Sequence, residues 1–178
     1  MTRTFANRFN RMYKVEYFPE PQAYNFGEEL VKIPGLDGSL KMSKSDNENT
    51  AIFLADPPDL IRKKLMRATT DTGPAEPDSI KTQPVRNLFD LMEFFSSRET
   101  YLHFDELFRT CRIRYGDLKK QLAEDIIKFT APIREEILRI SSDEAYISKV
   151  ARQGAEKARM SASRTINEVR EIIGFRPF

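Results

Sequence analysis

Apolar residues recur at steps of three and four along most of this chain, and that period predicts a mainly helical protein. Phe5, Phe9 and Met12 predict an amphipathic helix over 2–13, with Arg3, Arg8 and Arg11 between them. Prolines 19 and 21 in "VEYFPEPQAYNF" predict extended chain or loop. "ELVKIPGLDGSL" predicts a short strand, a Pro-Gly break and an Asp37-Gly38 turn. Residues 51–54 form a second apolar extended segment. Asp56 then suits an N-cap, Pro57 the first helical position, and Leu60, Ile61, Leu65 and Met66 make a stripe.

Residues 69–84 carry three prolines and almost no apolar period, which marks a domain boundary near residue 76. Beyond it Leu88, Leu91, Met92 and Phe95 predict one helix, and Phe104, Leu107 and Phe108 a short one. Tyr115 through Ile140 predict one long helix with a kink at Pro132. Ser142 or Asp143 caps a last helix of about 143–173, whose apolar side runs from Ile147 through Val150, Ala158 and Ile166 to Ile173.

Composition narrows the function classes. The 178 residues hold 29 basic and 27 acidic side chains, a net charge of +2, which argues against a general polyanion coat but permits a local basic face. The single cysteine, Cys111, allows no internal disulfide or cysteine-based zinc cluster, so a reducing compartment is expected and Cys111 reads as a small buried hydrophobe. No apolar run approaches the roughly 20 residues of a membrane span. The run Asp46, Glu48, Asn49 lacks the spacing of a calcium loop. Asp71 reads as a turn-forming Asx residue and His103 as a packing or helix-end histidine.

One polar stretch does not fit a packing role: "GSLKMSKSDNEN", residues 38–49. Its lysines and serines suit the holding of polyphosphate. Lysine brings a compact charge on a flexible stem, and a loop can close over substrate and reopen. The plain alternative is a solvated surface loop.

The letters themselves decide between these. Lys41-Met42-Ser43-Lys44-Ser45 is the full KMSKS sequence of class I aminoacyl-tRNA synthetases, and "KIPGLDGSLKMSKSDNENTAIFLADPPDLIRKKLMRATTDT" resembles the corresponding stretch of bacterial tryptophanyl-tRNA synthetases. "RTFANRFNRMY", "APIREEI" and "GAEKARMSASRTINEVREIIGF" resemble their flanking helices, so the resemblance covers essentially the whole chain. It implies residues 1–75 as the C-terminal remnant of a Rossmann-type α/β catalytic core and 76–178 as an α-helical anticodon-binding bundle.

The resemblance also implies chemistry. Lys41 and Lys44 become the catalytic candidates, and Ile33, Lys41, Met42, Ser43, Lys44 and Ser45 the ATP-contacting set. Arg152, Lys157, Arg159 and Arg164 become the candidate tRNA face. ATP with its Mg2+, tryptophan and tRNA(Trp) are the implied partners, with no protein metal site, in a cytoplasmic homodimer. The family's second phosphate motif needs paired histidines, and His103 stands alone. The resemblance therefore begins partway along the family pattern. The chain reads as the C-terminal half of such an enzyme, inactive by itself. The tyrosyl branch and a stand-alone tRNA-binding helical module are the alternatives.

Overall fold

The computed structural model describes residues 1–24, 32–43, 45 and 48–175. Its helices are α1 (Thr2–Tyr13), α2 (Pro58–Arg67), α3 (Gln83–Phe95), α4 (Arg98–Arg109), α5 (Tyr115–Ser141) and α6 (Glu144–Ile172), with one 3₁₀ turn at Glu48–Thr50. No strand occurs among the described residues. Part of the first expected strand lies outside them. Residues 51–54 are irregular: the Ile52 amide donates to the Met42 thioether rather than to a neighbouring strand. No described helix is long and apolar enough to cross a membrane.

The chain divides into two compact units. The larger, Val31–Ser142, holds the core. Ile61 and Leu65 of α2, Leu88, Phe89 and Met92 of α3, Phe108 of α4 and Leu118, Leu122 and Ile126 of α5 are all buried. All but Phe89 come from the stripes that the period-3.6 pattern marks. α2 and α3 both pack on α5, and α4 packs on α3. Phe89 meets Phe108 edge-on at 6.0 Å between ring centres. The Lys81 ammonium stands 4.4 Å from the Phe89 ring centre and pairs with Asp105 at 2.6 Å, so a cation closes one end of this aromatic cluster. α5 runs unbroken through Pro132.

The proline-rich stretch 69–84 lies inside this unit and is stitched to it. Asp71 accepts from the Gly73 amide (2.8 Å), the Thr82 hydroxyl (2.6 Å) and the Tyr115 hydroxyl (2.6 Å). The Asx role is therefore present, together with a cross-link to the start of α5. Burial would raise the Asp71 pKa, but these donors outweigh it and hold the carboxyl below its ordinary value. Lys119 of α5 is also buried. It donates to the Ala68 carbonyl at the end of α2 at 2.7 Å, and burial pushes its pKa down. A cation at a helix C-terminus satisfies a carbonyl with no partner inside the helix.

Two sequence expectations change here. Asp56 does not cap α2. The N-cap is Pro57, Pro58 is the first helical residue, and no side chain accepts there. Asp56 instead turns inward to Lys64, as described below. Cys111 is exposed, not buried. It sits just past α4 at φ 57°, where a left-handed residue ends the helix and turns its side chain outward.

The smaller unit combines Met1–Leu30 with Asp143–Phe178. The segment after α1 folds back on it. The Asn10 carboxamide makes a reciprocal pair with Phe18, donating to its carbonyl (2.7 Å) and accepting from its amide (3.0 Å). Phe9 packs edge-on against Phe18 at 5.0 Å. Asp143 caps α6 by accepting from the Tyr146 amide at 2.8 Å. No described residue of α6 is fully buried, and Ile147, Val150 and Ile166 of its apolar side are exposed.

Candidate active-site loop

The polar stretch 38–49 is held at both ends, and the residues that hold it come from far along the chain. Its upstream root is the turn 35–39. The Gly35 amide donates to the Ser39 carbonyl (3.0 Å), and the Ser39 amide donates to the Asp37 carboxylate (3.0 Å). Gly38 takes φ +92°, and a Cβ there would come within 2.9 Å of Pro84, so glycine is required on two counts. Leu36 is buried. Its amide donates to Thr50 and its carbonyl accepts from Thr69.

Asn87 of α3 completes the root. Its buried carboxamide donates to the Gly35 carbonyl at 2.9 Å and to the Ser39 carbonyl at 2.8 Å, and its oxygen accepts from Gln83 at 2.8 Å. All of its hydrogen-bonding capacity as a donor is spent on this one turn. The sequence offered a faint signal, an amide inside the apolar run of α3. Its partners lie about fifty positions upstream, where no local pattern reaches.

The downstream root is a buried ion pair. Lys64 of α2 donates to Asp56 at 2.7 Å and to the Ala51 carbonyl at 2.8 Å, and Asp56 also accepts from the Phe53 amide at 3.0 Å. The side chains of Lys64 and Asp56 are 4% and 10% exposed. The two residues thereby tie segment 51–56 to α2.

Between the roots the candidate residues divide. Ile33 and Met42 come together: the Met42 amide donates to the Ile33 carbonyl at 2.6 Å, and both side chains line one apolar cavity of about 390 Å3. Its other walls include Phe53, Phe95, Ile126 and Phe129. Lys41 and Ser45 are exposed, and Ser43, half-buried, accepts from the Ser45 amide at 3.3 Å. Lys44 lies outside the described residues. The anchored apolar side chain of Met42 thus stands directly beside the exposed cation of Lys41.

The α6 candidates do not form a single face. Arg152 and Arg159 share one stripe at i, i+7 spacing, and Lys157 and Arg164 share another, ~140° around the helix by its 3.6-residue turn. All are exposed. Arg164 donates to Glu168 at 3.0 Å, and Glu168 also accepts from Tyr17 at 2.7 Å. The Tyr17 hydrogen bond, and then Arg164, hold the Glu168 carboxyl below its ordinary value.

A KMSKS sequence carried by a helical unit points to a class I synthetase, and the family comparison agrees. Residues 1–131 match the model for tRNA synthetases class I (W and Y), and the chain belongs to that family. It is 57% identical over 176 residues to the tryptophan–tRNA ligase of Porphyromonas gingivalis, covering 99% of this chain and 53% of that one. The Helicobacter pylori (strain ATCC 700392 / 26695) tryptophan–tRNA ligase is 37% identical over 180 residues. That alignment covers 98% of this chain and 52% of the relative. In three dimensions, tryptophanyl-tRNA synthetase from Campylobacter jejuni superposes with a TM-score of 0.72 over 97% of this chain and 52% of its own, at 24% identity, which shows the shared fold. The chain spans about half the length of the curated relatives it matches.

Proposed function

We propose that this chain supplies the KMSKS loop and the helical region of a tryptophan–tRNA ligase. The single observation that carries this reading is the KMSKS loop standing on two buried anchors in a chain 57% identical, over nearly its whole length, to a tryptophan–tRNA ligase. The C. jejuni relative was crystallised with ADP and tryptophan, the ligand classes assigned here to the complete enzyme. On this reading residues 1–75 belong to the catalytic region and 76–178 to the tRNA-binding region. The ligase works as a cytoplasmic homodimer.

In the first step a tryptophan carboxylate oxygen attacks the α-phosphorus of ATP. The bond from that phosphorus to the oxygen bridging toward the β-phosphorus breaks, and pyrophosphate leaves with the electron pair. The carboxylate is already ionised at neutral pH, so no protein base is needed. The difficulty lies in bringing two anions together and in the charge gathering on the leaving group. Positioned cations answer both. Lys41 and Lys44 are those cations, with Ser43, Ser45 and backbone amides as neutral donors. The Ile33 backbone would meet the nucleotide base, and Met42 is the apolar anchor of the loop. Mg2+ would arrive on the phosphates and neutralise part of their charge. Among the described residues no group of three or more His, Cys, Asp or Glu could hold a metal ion, so on this reading the Mg2+ is carried by the nucleotide.

In the second step a ribose hydroxyl at the tRNA 3′ end attacks the acyl carbonyl and AMP leaves. The α6 cations would grip tRNA phosphates. With two stripes, Arg152 and Arg159 form the better-defined contact, since neither makes an ion pair with a described residue. Arg152→Glu combined with Arg159→Glu should weaken tRNA(Trp) binding and lower the slope of log K against log salt by about one to two units. Filter binding across a salt series reads both, and an unchanged slope removes this face from the reading.

The test of the whole proposal is tryptophan-dependent ATP–pyrophosphate exchange. The full-length ligase carrying this sequence should exchange with tryptophan and not with tyrosine, and the 178-residue chain by itself should not. Exchange driven by tyrosine would move the chain to the tyrosyl branch. No exchange by the full-length protein, with tRNA binding intact, would favour the helical binding module.

A further inference from the structure

The geometry points to Asn87 as the positioning residue of Lys41: its buried carboxamide, oriented by Gln83, clamps the turn that leads into the lysine loop. This rests on the ligase reading for its catalytic consequence, but the clamp itself stands on contacts alone. The amide nitrogen of Asn87 has two hydrogens, and each is given to a carbonyl of the same turn, at residues 35 and 39. Those two carbonyls bracket Leu36, Asp37 and Gly38. Between the same two residues runs the bond that closes the turn, from the Gly35 amide to the Ser39 carbonyl. A single side chain therefore holds both ends of the turn, and Lys41 follows two residues after its close.

Two further contacts show that the first turn of α3 is shaped as a seat. Gly38 rests against the Pro84 ring with no room for a methyl group. Gln83, one residue earlier, donates to the Asn87 oxygen at 2.8 Å. That bond selects the amide orientation in which the nitrogen faces the turn. Without it the Asn87 amide could rotate by half a turn and present an oxygen to two carbonyl oxygens.

The consequence for function follows from what a hinged cation must do. Lysine stems are flexible, so the place where Lys41 can reach is set by where its backbone is rooted. If the root drifts by about 1 Å, catalytic alignment suffers by roughly two orders of magnitude in the worst case. Asn87 is buried, and its carboxamide is spent on Gln83 and the turn. It acts through the 35–39 turn, and the loop inherits its position.

Asn87→Ala and Gln83→Ala give the test. In the 178-residue chain, trypsin cleavage after Lys41 reports the freedom of the loop. Asn87→Ala should speed that cleavage at least tenfold while sites outside the loop are cut at the parent rate, and Gln83→Ala should move it in the same direction by less. In the full-length ligase, Asn87→Ala should lower kcat for pyrophosphate exchange at least tenfold with KM for tryptophan unchanged, and Asn87→Ser, which keeps one donor, should restore part of it. A folded Asn87→Ala with wild-type cleavage overturns the clamp. Faster cleavage with unchanged kcat overturns its catalytic role. If Asn87→Ala fails to fold by circular dichroism, Gln83→Ala decides on the same two readouts. A wild-type ligase that does not exchange sinks the ligase reading instead, and the cleavage arm still decides the clamp.

Discussion

Lys44→Ala in the full-length ligase should slow tryptophanyl-adenylate formation by about a hundredfold or more, the usual cost of removing one electrostatic contact to a transition state, near 3 kcal/mol. Melting should hardly move, because on this reading the Lys44 side chain serves the substrate and not the fold. Lys41→Ala should follow the same pattern with a smaller loss, since Lys41 stands nearer the anchored turn along the chain. Single-turnover adenylate formation and a thermal melt of the same preparations separate the two effects. If both variants form adenylate at the parent rate, the loop is not the pyrophosphate clamp. If both lose rate and melting temperature together, the lysines act on the fold and not on the chemistry. The double variant is the sharper form of the test: two cations on one leaving group should couple, so the combined loss should differ from the sum of the single losses.

The helices were legible because their signals are local. The stripes of α3 and α5 gave the buried residues Leu88, Met92, Leu118, Leu122 and Ile126, and of the two cap candidates, Ser142 and Asp143, the second begins α6. The anchors of the loop were not legible, for a reason that Asp56 illustrates. A carboxylate just before a helical stripe scores as an N-cap, because capping needs only the next few residues. Its actual partners are Lys64, eight residues on, and the Phe53 amide behind it. Asn87 is the extreme case: both carbonyls it serves lie about fifty positions away. Cys111 misled in the other direction. Its apolar character suggested burial, but its place after α4 requires a left-handed backbone, and that geometry faces water. The apolar side of α6 was visible as a pattern, yet a period says only which residues share a face. It does not say what covers the face. The KMSKS stretch was readable as letters while the posts that make it a device were not.

Asp56→Ala should destabilise the chain by about 3–5 kcal/mol, because it strands a buried ammonium. With Asp56 gone, Lys64 keeps the Ala51 carbonyl and the face of the Phe53 ring, whose centre lies 4.8 Å away. Neither carries a full negative charge. The Phe53 amide loses its acceptor as well. A loss of this size is a large share of the roughly 5–15 kcal/mol that holds a typical domain together. The pair need not be a strong net contributor for this to be so. Two charges taken out of water cost much of what their attraction returns, and it is the unmatched charge that is costly. Asp56→Ala combined with Lys64→Met should therefore recover most of the loss, leaving the Phe53 amide as the main deficit. Urea denaturation of the parent, both single variants and the double variant gives the four midpoints needed, with an unchanged slope confirming that the same surface unfolds in each. The recovered double variant then isolates what the ion pair does for the loop. If the pair is only a fold-stabilising contact, trypsin cleavage after Lys41 in the double variant will match the parent. If the pair is the downstream post of the loop, cleavage will stay fast even though stability has returned, because methionine at position 64 cannot donate to the Ala51 carbonyl that Lys64 now holds.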